Sequence, residues 1–122
     1  MIKYQATVTA IGSLVSEFID HGILVFFRQD APPELADFSV LHDGNHLKAD
    51  LVPGDVIHID AESYRVLAVG DVANNNFATL GHLVMKFNGK DAVEMPGDVC
   101  VEKKEIPPIS IGSQLRIEDS IG

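Results

Sequence analysis

The chain contains one cysteine, Cys100, among 122 residues. That excludes an internal disulfide framework and any zinc or iron–sulfur centre built on several thiolates. Basic residues are also scarce: nine Lys and Arg against 18 Asp and Glu leave a formal net charge of −9. Binding nucleic acid, or holding to an anionic membrane through a polybasic patch, needs clustered cations that this chain does not have. Long apolar runs are missing too. The longest, Ile23 to Phe27, is far short of the ~20 residues a spanning helix needs. The opening Met1-Ile2-Lys3-Tyr4-Gln5 has no charged segment leading into an apolar one. No secretion signal is therefore expected, and the cytoplasm is the expected location.

What is present is a foldable composition, 46% hydrophobic and 22% charged, of a length that suits a single domain over residues 1–122. Short β-like runs separated by turn chemistry dominate. Ile2 to Ile11 alternates around the β-branched Thr7, Val8 and Thr9, and Ile23 to Phe27 reads as a strand covered on both faces. Phe38 to His42, Val56 to Ile59, Tyr64 to Val69, His82 to Phe87, Asp98 to Val101 and Gln114 to Ile117 complete the set. Helical signals are limited to a segment after Ser13, with Ser13 as its cap, and to Ala73 to Gly81. The expected fold is all-β: a small antiparallel, Greek-key-like barrel with one or two short helices. Pro53-Gly54-Asp55-Val56 and Pro96-Gly97-Asp98-Val99 each suit a type II turn feeding a strand, and carry no chemistry.

Chemistry near neutral pH falls to the five histidines, His21, His42, His46, His58 and His82. No Ser stands in a G-x-S-x-G elbow, and there is no glycine-rich phosphate loop with a Lys. His42 closes an apolar run and opens the turn Asp43-Gly44-Asn45. It is expected at the barrel rim with its ring partly exposed, where a macromolecular partner would meet it. On the residues alone, it reads first as a surface loop histidine. A metal pair with His46 would need a helix or tight hairpin and a third ligand, and Gly44 and Asn45 break a helix. His82 reads as a strand-end histidine bonded to backbone. His58 shares a strand face with Val56, as barrel wall or exposed sheet, and His21 sits at a helix end. Cys100, between Val99 and Val101, reads as core.

Several blocks, in their order and spacing, then carry a resemblance. They are Tyr4-Gln5-Ala6-Thr7-Val8-Thr9-Ala10-Ile11-Gly12, and Phe27-Arg28 leading through Ala31-Pro32 to Phe38 and on to His42. Leu51-Val52-Pro53-Gly54 and Val66-Leu67-Ala68-Val69-Gly70 come next. Leu80-Gly81-His82, Phe87-Asn88-Gly89 and Met95-Pro96-Gly97 complete the match. The chain resembles the glucitol/sorbitol-specific enzyme IIA components of the bacterial phosphoenolpyruvate-dependent sugar phosphotransferase system.

That resemblance implies a phosphocarrier without a cofactor. It would take a phosphoryl group from the general carrier HPr onto a histidine and pass it to the IIB component. The membrane would enter only through the permease complex. The phosphorylated histidine falls on His42 by position. Amides around Asp43, Gly44 and Asn45 would donate to phosphoryl oxygens, as backbone nests do, and Asp43 must point its carboxylate away. His82 is the candidate second histidine, contacting the phosphoryl group or orienting His42. Two alternatives stay open: a non-catalytic β-barrel interaction or regulatory module, and a cupin-like metal binder using His42, His46 or His82. The acidic excess suits electrostatic attraction to a basic donor.

Overall fold

The computed structural model describes residues 1–119. Eight strands form: β1 (Ile2–Ile11), β2 (Ile23–Arg28), β3 (Val40–His42) and β4 (Val56–Ile59), then β5 (Glu62–Val69), β6 (Leu83–Lys86), β7 (Asp98–Val101) and β8 (Gln114–Glu118). They close into a barrel in the order β1-β3-β2-β6-β7-β5-β4-β8. Six seams are antiparallel, while β2–β3 and β6–β7 run parallel. A parallel neighbour next in sequence requires the chain to travel back along the barrel before re-entering the sheet. Residues 29–39 make that return after β2, stiffened by Pro32-Pro33 and the single turn of α2 (Pro33–Ala36). The sequence signals do not anticipate α2, because four residues are too few to show a period.

Alternation explains the core. Tyr4, Ala6 and Val8 of β1, Ile57 and Ile59 of β4, and Leu115 and Ile117 of β8 all point inward. Lys3 breaks the rule, being buried beside Tyr4. Its ammonium pairs with Asp55 Oδ2 at 2.8 Å and donates to the Asp50 carbonyl at 2.8 Å. Asp55 Oδ2 also accepts the Val52 amide, and Asp98 repeats the device with the Met95 amide and Lys86. The two Pro-Gly-Asp turns are thus each locked by a buried carboxylate. Only Gly54 has positive φ (100°); Gly97 does not take the left-handed conformation that a type II turn would require of it.

Helix α1 (Val15–Ile19) lies after β1 and is capped at Leu14 without a side-chain bond, so Ser13 does not cap it. Helix α3 (Ala73–Leu80) buries Phe77 in the core against the Tyr4 ring, with centroids 4.3 Å apart. Gly81 ends α3 in the left-handed conformation, φ 64°, as a glycine C-cap does. Immediately afterwards the chain enters β6. This helix-to-strand corner sets one side of the site.

Candidate functional site

His42 is the last residue of β3, and its side chain is fully buried at 0% exposure. The expected half-exposed rim position is therefore corrected. The turn after β3 folds back over the ring instead of turning out to solvent. Two hydrogen bonds hold that ring. Nε2–H donates to the Gly81 carbonyl at 2.8 Å, and the Gly44 N–H donates to Nδ1 at 3.1 Å. A carbonyl only accepts and an amide N–H only donates, so Nε2 carries the proton and Nδ1 the lone pair. Burial holds the His42 pKa below the ordinary 6.5, and the Arg28 guanidinium adds to this. The Gly81 bond and the Asp43 carboxylate work against it. The imidazole is neutral at neutral pH, a nucleophile with one defined lone pair.

The surroundings are built by three elements. Arg28 ends β2 and pairs with His42 across the parallel seam. Its Nε donates to the Gly44 carbonyl at 3.0 Å and its Nη1 to the Thr79 carbonyl at 3.1 Å. It thereby ties the turn after β3 to the end of α3. Tyr4 of β1 sets its ring edge-on to His42, with centroids 5.9 Å apart. Its hydroxyl is buried and makes no hydrogen bond of good geometry. Burial pushes the Tyr4 pKa up, while the Arg28 guanidinium, by its charge and as a side-chain hydrogen-bond neighbour of the hydroxyl, pulls it back. Gly44 lies directly on this ring, so close that a Cβ there would stand 2.5 Å from Tyr4 Cε2.

Of the turn residues singled out in the sequence, each takes a different position. The Gly44 amide faces His42. The Asp43 N–H is spent on the Thr7 carbonyl at 3.2 Å, and Asp43 Oδ1 accepts the Thr7 N–H at 2.8 Å. The Asp43 carboxylate is therefore turned onto β1, away from the His42 ring. Asn45 and His46 are exposed and line a shallow recess of about 160 Å³ with Tyr4 and Lys48.

His82 is not brought to His42. Successive strand residues face opposite ways, and Phe26 meets His42 while Phe27 meets His82, its ring 4.8 Å away. His82 Nδ1 lies 3.3 Å from the Phe26 carbonyl, and the ring lines an outer apolar groove. The residue that orients His42 is its neighbour Gly81, through the main chain. Tyr4, Arg28 and Gly81 are the site residues that motif reading missed. The one sequence cue was Arg28, a cation directly ending the apolar run Ile23 to Phe27.

The remaining candidates lie elsewhere. His21 Nδ1 bonds the Glu17 carbonyl at 2.9 Å at the end of α1. His58 stands on the outer face, with Nδ1 2.8 Å from the Ser63 hydroxyl and Nε2 2.7 Å from Glu118 Oε1. Ser63 and Arg116 are its cross-strand partners, so register alone assembles this chain of groups. Cys100 is fully buried in β7. Among the described residues, no three His, Cys, Asp or Glu side chains come together as a metal-ligand set. Among the described residues, no helix is long and apolar enough to cross a membrane either.

Residues 3–116 match the family model described as the PTS system glucitol/sorbitol-specific IIA component. The PTS system glucitol/sorbitol-specific EIIA components of Shigella flexneri and Escherichia coli K12 are each 36% identical over 117 residues, spanning 96% of this chain and 95% of theirs. The crystal structure of a PTS system IIA component from Enterococcus faecalis V583 superposes with a TM-score of 0.78 at 24% identity. It covers 91% of this chain and 96% of that one. At that identity the likeness establishes the barrel alone. With a family match spanning nearly the whole chain, the protein belongs to the glucitol/sorbitol-specific IIA components of the phosphotransferase system.

Proposed function

We propose that the protein is a cytoplasmic phosphocarrier. Its His42 accepts a phosphoryl group from phospho-HPr and delivers it to the IIB component, for uptake and phosphorylation of glucitol/sorbitol. The observation that carries this reading is the His42 ring. It is neutral, has a single tautomer, and is backed by a carbonyl on Nε2 and flanked by the Arg28 cation. Attack on phosphorus needs a free imidazole lone pair and not an imidazolium. Transfer through a loose, in-line transition state is served mainly by positioning and charge compensation, which a fixed ring and a guanidinium supply. Neither step calls for a nucleotide or a divalent cation between two phosphohistidines.

The test is labelling with phosphoenolpyruvate, enzyme I and HPr. The protein should acquire an acid-labile, alkali-stable phosphate, and His42→Gln should acquire none. Equal labelling of both proteins would refute the assignment.

A further inference from the structure

A phosphocarrier must hold its protein donor in register with the accepting histidine. We propose that the apolar groove on the outer face of β2 and β6 is the docking surface for that donor, and that it takes an apolar patch bordered by basic side chains. This inference rests on the phosphocarrier reading and gives its donor a place to bind.

Strand alternation builds the groove. Leu24 and Phe26 of β2 belong to the barrel core, so Val25 and Phe27 face outward. Phe18 of α1 and Phe38 stand beside them, their rings stacked with centroids 5.5 Å apart and planes within 5°. Leu80 and His82 complete the lining of a groove of about 450 Å³. Leu80 is 45% exposed. A concave apolar surface with a polar rim is the form that protein contacts take.

The groove ends at the corner that holds His42. Phe27 precedes Arg28, and Leu80 and His82 flank Gly81, whose carbonyl bonds the His42 ring. Arg28 in turn bonds the carbonyl of Thr79, the residue before Leu80. A protein seated in the groove is thereby brought to the site from the outer side of the barrel wall.

Charge selects the occupant. From Val15 to Phe38 the chain carries Glu17, Asp20, Asp30, Glu34 and Asp37, all exposed. Its one Lys or Arg is Arg28, which is tied to two carbonyls. Glu17 and Asp20 bracket Phe18, and Glu34 and Asp37 bracket Leu35, both of which line the groove. Lys86 also lines it, but pairs with the buried Asp98 at 2.8 Å. His82 adds an acceptor: Nδ1–H donates to the Phe26 carbonyl at 3.3 Å, which leaves Nε2 to accept from a basic side chain. A second copy of the chain would set this acidic rim against itself in a two-fold interface. A partner with a basic, partly apolar face complements it.

The test follows phosphoryl transfer from phospho-HPr to the full-length protein at rising donor concentration. Leu80→Ser removes exposed apolar surface and should raise the half-saturating concentration about tenfold, the loss expected from one leucine contact. Glu34→Lys with Asp37→Lys should raise it too, most at low salt. In both variants the saturating rate should stay at the wild-type value. Ile111→Ser, 70% exposed in the β7–β8 connection, should behave as wild type. Titrating HPr into methyl-labelled protein should shift the NMR signals of Leu35 and Leu80. Those of Ile106 and Ile109, which line a separate groove of about 750 Å³, should stay in place. A wild-type half-saturating concentration in Leu80→Ser, or shifts confined to Ile106 and Ile109, would overturn the proposal and leave the phosphocarrier reading intact. So would a dimer in sedimentation that Leu80→Ser dissolves, because a second copy would then cover the groove. Wild-type protein that takes no phosphoryl group would overturn both.

Discussion

A neutral, buried imidazole makes the protein's stability depend on pH in a definite direction. The folded pKa of His42 lies below 6.5 because burial disfavours its charged form. Between that folded value and 6.5 the unfolded chain binds more protons, so stability falls as pH drops through this window and is unaffected above it. Each pH unit by which the folded pKa lies below 6.5 is worth about 1.4 kcal/mol. His42→Gln offers an amide that donates to Gly81 and accepts from Gly44 without titrating. The variant should therefore lose less stability than wild type between pH 7 and pH 5, measured by urea denaturation. Parallel curves would contradict the buried neutral ring. At this scale the sequence singled out His42 but not its setting. A Gly-Asn turn ordinarily signals solvent, and nothing local shows that Gly44 packs on Tyr4, forty residues earlier. The choice of His82 as partner failed for a related reason. The useful group is the carbonyl of Gly81, and a main-chain carbonyl leaves no mark in a sequence.

The end of α3 is where an element boundary becomes part of the site. Gly81 has φ 64°, and a Cβ there would stand 2.9 Å from Arg28 Cβ and 3.0 Å from His42 Cε1. Gly22 shares the conformation, φ 74°, with nothing within 4 Å of its missing Cβ. Gly22→Ala should cost only the left-handed penalty, about 1–2 kcal/mol. Gly81→Ala should cost more in the same denaturation experiment, and should also disturb His42 histidine NMR signals. Equal losses would mean that the corner is not packed against the ring. Strand positions were readable because most strands alternate between core and solvent, β2 and β7 stand out as continuous apolar or buried runs, and turn residues such as glycine, proline or asparagine lie near their ends. Pairing was less so. Alternation says which face a residue takes and nothing of which strand lies beside it, so the two parallel seams, β2–β3 and β6–β7, had no local sign. Yet the β2–β3 seam is what sets Arg28 beside His42. The site was only partly legible because it depends on that pairing.

On the scale of the whole molecule, the charge of −9 acquires a location. Lys3 and Lys86 are consumed by the buried Asp55 and Asp98, and Arg28 by two carbonyls at the site. The return from β2 to β3 carries the exposed Asp30, Glu34 and Asp37 with no cation between them. It leads directly into the strand that ends at His42. An acidic approach to a site holding a guanidinium suits a protein donor with a basic face better than a free anion, which the outer charge would repel. In the proposed transfer, the field therefore acts on encounter and Arg28 acts on the phosphoryl group. The two are separable by salt. Raising ionic strength from 0.01 to 0.15 M shortens the screening length from about 30 to about 8 Å. The second-order rate of labelling by phospho-HPr should fall about tenfold or more, as steered associations do. Labelling at saturating donor should change little, because His42 is fully buried and the docked donor covers the half-buried Arg28. A second-order rate indifferent to salt would remove the acidic surface from the docking step. A saturating rate that falls equally would show that the charge acts at the phosphoryl group itself.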